Sequence, residues 1–502
     1  MRREVSSEHL RAAHLAVAGG LLAWLALCAF ARATTMIDPY DGAHHTVLAR
    51  NLAFGGRYGL WDYGRWVVWP LDVSVGPTLI VPLALGFRLA GWGPFVPNVV
   101  CATLSVGLAS VLWLLVARRA ATPTAMLSSV AALALLLTTT VKGFEYFFLP
   151  YGEVMAGFLC ALATVVALGA PGVSPVRAWS AGALAGLALG DKFLALLPGV
   201  CLAVALARVT GSRRVLALFI AGVVSVFVPY EVLKLVQLGS VLDYGTHWVG
   251  FARYLFQHAG SGLLPRGSLL LRLSSHAQLL VGHLRWLILP FGLVLAAWPA
   301  LACRSLRPAA TPETRVAAAL GLEVVVLLFW WLAISGLPWL RYAVIPLLLL
   351  PVYAHFALVA LEGAGARGVL VVPGWLLLVA IAAAVSPRGT VVPPTPSRAL
   401  TPRTAAVFEV ADEIRRRPSA RFWGSGWWRH WDVQTLVDVR LADLLGPDAP
   451  GGPEGGPDYL ITSDFFDLEK NPRTVAVVRE NAEHRVFRNG YFRIYELKPP
   501  GG

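Results

Sequence analysis

The chain has 502 residues, 57% of them hydrophobic and only 14% charged, with a mean hydropathy of +0.64, which excludes an ordinary soluble domain. Its formal net charge of +13 comes mostly from Arg placed in short connections between apolar runs. That distribution favours anionic membrane lipid and speaks against a nucleic-acid partner, because no basic run interleaved with aromatics occurs in a soluble region.

In chain order, the first 30 residues carry basic flanks and an apolar core with no small-residue cleavage site after them, so they read as a retained first span over about residues 13–31. The loop over 32–96 opens with "MIDPYDGAHHTVLARNLAFGG". Asp38 and Asp41 are three apart, and Asp41 and His45 four apart, so on a helix they share one face. The stretch "AHHTVLARNLAFGG" is amphipathic and ends in Gly-Gly, which predicts a short helix lying on the membrane surface. A solvated loop with the Asp residues as caps is the plainer alternative. Residues 75–91 read as an interfacial or re-entrant segment, since counting them as a span would put Arg118 and Arg119 outside.

Further spans are predicted near 97–117, 123–141, 153–170, 178–190, 191–208, 214–236, 282–302, 316–336, 342–361 and 368–386, about eleven in all. The expected fold is an all-α polytopic membrane protein with interfacial helices. A break at Gly190-Asp191-Lys192 puts every Arg-bearing connection on the side of Arg2, Arg3 and Arg11. By the positive-inside rule that side is the cytoplasm, and the odd span count exports the C-terminus. A multi-pass protein of a bacterial plasma membrane is the expectation, the Ala, Arg and Pro bias suggesting a GC-rich genome. The five cysteines, Cys28, Cys101, Cys160, Cys201 and Cys303, all lie in or beside apolar segments, and no CxxC or Cys/His spacing suggests zinc.

Four polar features then face outward together: the loop over 32–96, "VKGFEYFFLPYGE", "GDKF" and "GLPWLRY". Lys192 suits a lipid phosphate at the boundary of water and hydrocarbon, or it snorkels while pairing with Asp191. Glu145 and Glu153 flank the aromatic turn containing Tyr151, and Glu153 also suits plain capping of the next span. Arg341 and Tyr342 follow Pro338 and fit either a phosphate site or an aromatic-belt anchor. His258 in the loop over 237–281 approaches the same region or is an ordinary interfacial histidine.

The predicted domains are a membrane region over 1–386, a Pro-rich linker over 387–402 and a small soluble α/β domain over 403–502. In the last, "AAVFEVADEIRRR" has helical periodicity, while "ARFWG", "DYLITSD" and "YFRIYEL" read as strands. Trp427, Trp428 and Trp431 either stack on sugar rings or form the core and docking face of this domain.

Four motifs in order resemble the GT-C superfamily of membrane glycosyltransferases, in the branch of protein mannosyltransferases and aminoarabinose transferases: "DGAHHTVLARNL", "LPYGEVMAGFLCAL", "GLALGDKFLALLPG" and "LRYAVIPLLLLPVYA". The resemblance covers about residues 13–361. It implies a polyprenyl-phosphate sugar donor, a glycolipid, polysaccharide or protein acceptor, Asp41 as general base, and Lys192, Arg341 and Tyr342 at the donor phosphate. Glu153, Tyr151, Glu145, His44 and His45 would position donor or acceptor. Gly42 stands where relatives carry a second acidic residue, and His44 and His45 replace an aromatic pair, which leaves Asp38 as a rival base. No cofactor is firmly implied; a divalent metal is compatible with the His/Asp cluster, although no fixed ligand spacing supports one. A transporter or flippase of lipid-linked sugars is the main alternative, but charges gathered at one face and the lack of a visible repeat count against it. A scaffold presenting the C-terminal domain would leave the Asp, Lys and Arg placement without a reason.

Overall fold

The computed structural model describes residues 2–38, 41–62, 65–71, 73, 75–139, 145–257, 268–307, 309–335, 339–363, 371–385, 399–424, 431–437, 442–443, 458–463 and 472–497. Its first part comprises α1 (Arg2–Ala33), α2 (Asp41–Gly55), a hairpin of β1 (Gly59–Asp62) and β2 (Arg65–Val68), α3 (Pro77–Ala90), α4 (Val96–Ala117), α5 (Pro123–Thr139), α6 (Glu153–Leu168) and α7 (Pro175–Asp191). Then follow α8 (Leu196–Thr210), α9 (Arg213–Leu238), α10 (Val241–Gln257), α11 (Leu269–Leu284), α12 (Ile288–Ala296), α13 (Trp298–Ser305), α14 (Pro312–Phe329), α15 (Val344–Glu362) and α16 (Val371–Val385).

Local chemistry explains many boundaries. Ser174 and Thr311 each accept the amide of the third residue on and precede a proline that opens α7 or α14, and Ser212 caps α9 in the same way. Gly211 and Gly239 close α8 and α9 in the left-handed region. Among the described residues, seven helices are long and apolar enough to cross a membrane, and several shorter apolar helices accompany them. The predicted break at Gly190–Lys192 is present: α7 ends at Asp191, Lys192 is extended, and a 3-10 turn leads into α8. The span predicted over 282–302 falls within Leu269–Ser305, a stretch long and apolar enough to cross that is made of α11, α12 and α13. The segment expected to be re-entrant or interfacial is α3, about 21 Å long at 1.5 Å per residue and too short to cross 30 Å of hydrocarbon.

The centre of the bundle is α6 and α15. Nearly every residue of both is buried, so neither has a broad lipid face. Around them, α7 and α9 cross closely because Gly182 and Gly222 meet backbone to backbone.

The C-terminal part has α17 (Pro402–Arg415), β3 (Phe422–Gly424), α18 (Trp431–Gln434), β4 (Ala442–Asp443), β5 (Tyr459–Ser463), α19 (Pro472–Glu480), β6 (Arg485–Arg488) and β7 (Phe492–Glu496). Its sheet has the order β4-β3-β5-β7-β6, parallel on the β3 side of β5 and antiparallel on the β7 side. Val407, Val410, Phe422, Ile461, Phe492 and Ile494 form its core, and Ile37 from the loop after α1 joins them. The linker lies largely outside the described residues.

A Cβ on Gly222 would lie 2.1 Å from the Trp179 carbonyl oxygen. Gly222→Leu should therefore cost about 1–3 kcal/mol or more of stability through overpacking at the α7–α9 crossing. Thermal unfolding in detergent measures this, and an unchanged midpoint would show that the two helices separate freely.

Candidate active site

Four ionisable side chains from distant parts of the chain meet at the ends of helices. Asp41 is the first residue of α2 and Glu153 the first of α6, where the helix dipole favours a carboxylate. Lys192 follows the last residue of α7, where it favours a cation. Arg341 lies in the 3-10 turn Leu340–Ala343 that opens α15.

The ion pairs form a chain. Asp41 Oδ2 pairs with Arg341 Nη1; Arg341 Nε lies 3.8 Å from Glu153 Oε1; and Lys192 Nζ lies 2.9 Å from the same Glu153 oxygen. All four are largely buried, with side-chain exposures of 11% or less. Lys192 thus pairs with Glu153 across two helices and not with its neighbour Asp191. Three aromatic rings surround the guanidinium, with Trp339 and Tyr342 each 5.3 Å from its central carbon and Tyr151 at 5.7 Å.

Burial alone would push the Asp41 carboxyl up, but Arg341, with His45 and Lys192, holds it below the usual carboxylate range. Burial drives the His45 imidazole well below its ordinary value. Its Nδ1 lies 2.6 Å from the Pro150 carbonyl oxygen, so that nitrogen carries the proton of the neutral ring.

Asp38 does a different job. Its Oδ2 accepts the Gly42 amide at 2.7 Å, and its Oδ1 accepts the Tyr151 hydroxyl at 2.6 Å. It therefore ties the start of α2 to the turn before α6. Gly152 in that turn has φ +85°, and a Cβ there would lie 2.5 Å from Asp191 Oδ1, so only glycine brings α6 this close to the end of α7. Glu145 is exposed at the start of the turn Glu145–Phe147, and its carbonyl accepts the Phe148 and Leu149 amides. Among the described residues no ion pair joins it to the four-charge chain.

The helix α2, expected as a short surface helix, is covered by other parts of the chain: every residue from Asp41 through Arg50 is buried. Its outer side is covered by the segment after the linker. Trp431 stacks on His44 at 4.7 Å between ring centres, and Arg50 Nη1 donates to the Gln434 carbonyl at 2.7 Å. Trp92 Nε1 donates to the Thr435 carbonyl at 3.0 Å. Trp431 is therefore a docking residue at 4% exposure, while Trp427, Trp428 and His258 lie outside the described residues. His44 Nε2 is buried with no hydrogen-bond partner among the described residues. No three His, Cys, Asp or Glu side chains among the described residues gather as metal ligands would.

No family model matches this sequence, and no curated protein is detectably similar to it. Solved structures are similar over nearly the whole chain. ArnT from Cupriavidus metallidurans in the apo state superposes with a TM-score of 0.59 at 17% identity, covering 98% of both chains. The same protein bound to undecaprenyl phosphate gives 0.58 at 17% identity over 96% of this chain and 97% of that one. The chain has the GT-C fold. A GT-C protein of another kind, the Archaeoglobus fulgidus oligosaccharyltransferase tethered to an acceptor peptide containing the NVT sequon, gives 0.52 at 13% identity, covering 90% of this chain and 69% of that chain. Seventeen per cent identity explains why only loose motifs were visible.

Sequence reasoning missed a second charged group within this fold. Glu231 and Lys234 lie three apart inside the apolar helix α9 and pair at 3.1 Å. A charged pair within a span was itself the available signal.

Breaking the Asp41–Arg341 pair leaves a buried carboxylate short of its counter-ion. A depressed native pKa adds stability above the unfolded carboxylate range and loses it as pH falls through the native value. Arg341→Gln should therefore destabilise by about 3–5 kcal/mol near neutrality. The gap from wild type should narrow in acid, read as unfolding midpoints at several pH values. A gap independent of pH would show that Arg341 stabilises by packing alone.

Proposed function

We propose that this protein is an integral-membrane glycosyltransferase that moves a sugar from a polyprenyl-phosphate donor to an acceptor hydroxyl on the outer face of a bacterial plasma membrane. The observation that carries this reading is the buried chain of Asp41, Arg341, Glu153 and Lys192 at helix ends on one face of a GT-C bundle. ArnT, which has the same fold, has been crystallised with undecaprenyl phosphate. A donor with a long apolar tail cannot leave the bilayer, so a site at the bundle's edge suits it. The arginine-bearing connections opposite this face orient the N-terminus to the cytoplasm.

In the proposed reaction Asp41 takes the proton of the acceptor hydroxyl as that oxygen attacks the anomeric carbon. The bond from that carbon to the phosphate oxygen breaks, with inversion, and polyprenyl phosphate departs. Lys192 and Arg341 stabilise the negative charge that grows on the leaving phosphate, with Tyr342 beside the guanidinium. Glu153 holds both cations in place, and Asp38 with Tyr151 fixes the start of α2. In the resting arrangement Arg341 depresses the basicity of Asp41. A donor phosphate that draws the guanidinium toward itself restores a stronger base at the moment one is needed.

Purified protein incubated with a panel of polyprenyl-phosphate sugars and hydroxyl acceptors tests this, with EDTA as a further arm for metal dependence. Asp41→Asn should lower release of polyprenyl phosphate by about 10²–10⁴-fold while the protein stays folded. Asp38→Asn should lose less, since its role is to hold α2. Normal turnover by Asp41→Asn would sink the assignment. Lys192→Ala should weaken donor binding as well as rate, and unchanged donor affinity would show that Lys192 serves Glu153 alone.

A further inference from the structure

Beside the four-charge chain lies a separate cavity of about 110 Å³ between the hairpin, the start of α3, the end of α7, α9 and α10. Aromatic side chains contribute much of its lining, among them Tyr58, Trp69, Phe193, Tyr230, Trp248 and Phe251. At one end the Lys234 ammonium, 8% exposed, stands 4.3 Å from the Trp248 ring centre and 5.1 Å from that of Trp69. Glu231 accepts from Lys234 through Oε1 at 3.1 Å, and from the Tyr244 hydroxyl and Trp248 Nε1 through Oε2 at 2.7 and 3.0 Å. Asp191, 1% exposed, also lines the cavity, and neither of its carboxylate oxygens makes a hydrogen bond of good geometry.

This lining selects its ligand. Lys234 is already neutralised by Glu231, and Asp191 adds a further carboxyl group, so there is no net positive charge to hold a phosphate. His247 adds none, because burial and then Lys234 lower its pKa to about 4. A hydrocarbon chain would leave the Asp191 oxygens and the remaining ammonium hydrogens buried without partners. A group with flat apolar faces and a rim of hydroxyls satisfies both the aromatic rings and the polar ends.

We propose that this cavity is a saccharide subsite, with Trp248 as its stacking wall, Trp69 held behind it by Tyr58, and Glu231, Lys234 and Asp191 as hydroxyl partners. It rests on the glycosyltransferase reading, because Asp191 adjoins Lys192 and so sets a bound ring next to the reacting centre. The ring is either the donor's own sugar or a sugar unit of the acceptor.

The test is ligand-observed NMR on the full-length protein in nanodiscs, with a panel of methyl glycosides, neutral and amino, and with polyprenyl phosphate lacking a sugar as a second probe. At least one glycoside should bind in the millimolar range, and Trp248→Ala and Glu231→Gln should each weaken it by roughly ten-fold. Displacement by a short-chain polyprenyl-phosphate sugar but not by polyprenyl phosphate identifies the donor sugar as occupant; retention beside bound donor identifies the acceptor. Three results overturn the proposal: no glycoside binds wild type, glycoside binding ignores both substitutions, or sugar-free polyprenyl phosphate alone depends on them. Should Trp248→Ala fail to fold, the nearly isosteric Glu231→Gln carries the comparison. Glycoside binding needs no turnover, so binding without transfer would remove the function and spare the subsite, and transfer without binding would do the reverse.

Discussion

Everything at this site depends on keeping two carboxylates and two cations together in a mostly apolar bundle. A single buried charge there would be costly, and a chain of four is stable only if each member has a partner at short range. Helix ends supply the positions: Asp41 and Glu153 at N-termini, and Lys192 past a C-terminus. The aromatic rings around Arg341 exclude water from the pairs and so strengthen them. Glu153 opens α6 and the turn carrying Arg341 leads directly into α15, so the two most buried helices of the bundle set their spacing.

Much of the bundle was legible in the sequence because span-length apolar runs and Arg-bearing connections are strong one-dimensional signals. The helix break at Lys192 was legible too, since the charges of the connections make sense only with it. Pairings were harder. Adjacent Asp191 and Lys192 suggested a local pair, yet the chain turns between them and Lys192 reaches Glu153 on another helix. The hairpin of β1 and β2 went unread inside a loop assigned to helices, because a two-stranded pairing is set by partners and not by composition.

The burial of α2 illustrates the limit best. Its mixed polar and apolar residues suit an open membrane surface and a covered position beneath a docked segment alike, and all of Asp41 to Arg50 is in fact covered. What decides between them is the segment around Trp431, nearly 400 positions away, which no local periodicity reports. The cavity beside α9 is similar: Glu231 and Lys234 were visible as charges in a span, but their indole neighbours come from a hairpin and a later helix.

The joints between the two parts of the chain also bear on when a working site can exist. Ile37 bonds to Thr404, Thr35 to Thr401, and Arg50 to Gln434, so the first helix pair is enclosed by residues more than 350 positions later in the chain. The ion pairs lie within residues 41–341, whereas the cover over the helix carrying Asp41 comes from the segment around Trp431. A chain cut before this segment would therefore keep Asp41, Glu153, Lys192 and Arg341 but lose the roof that encloses the first of them.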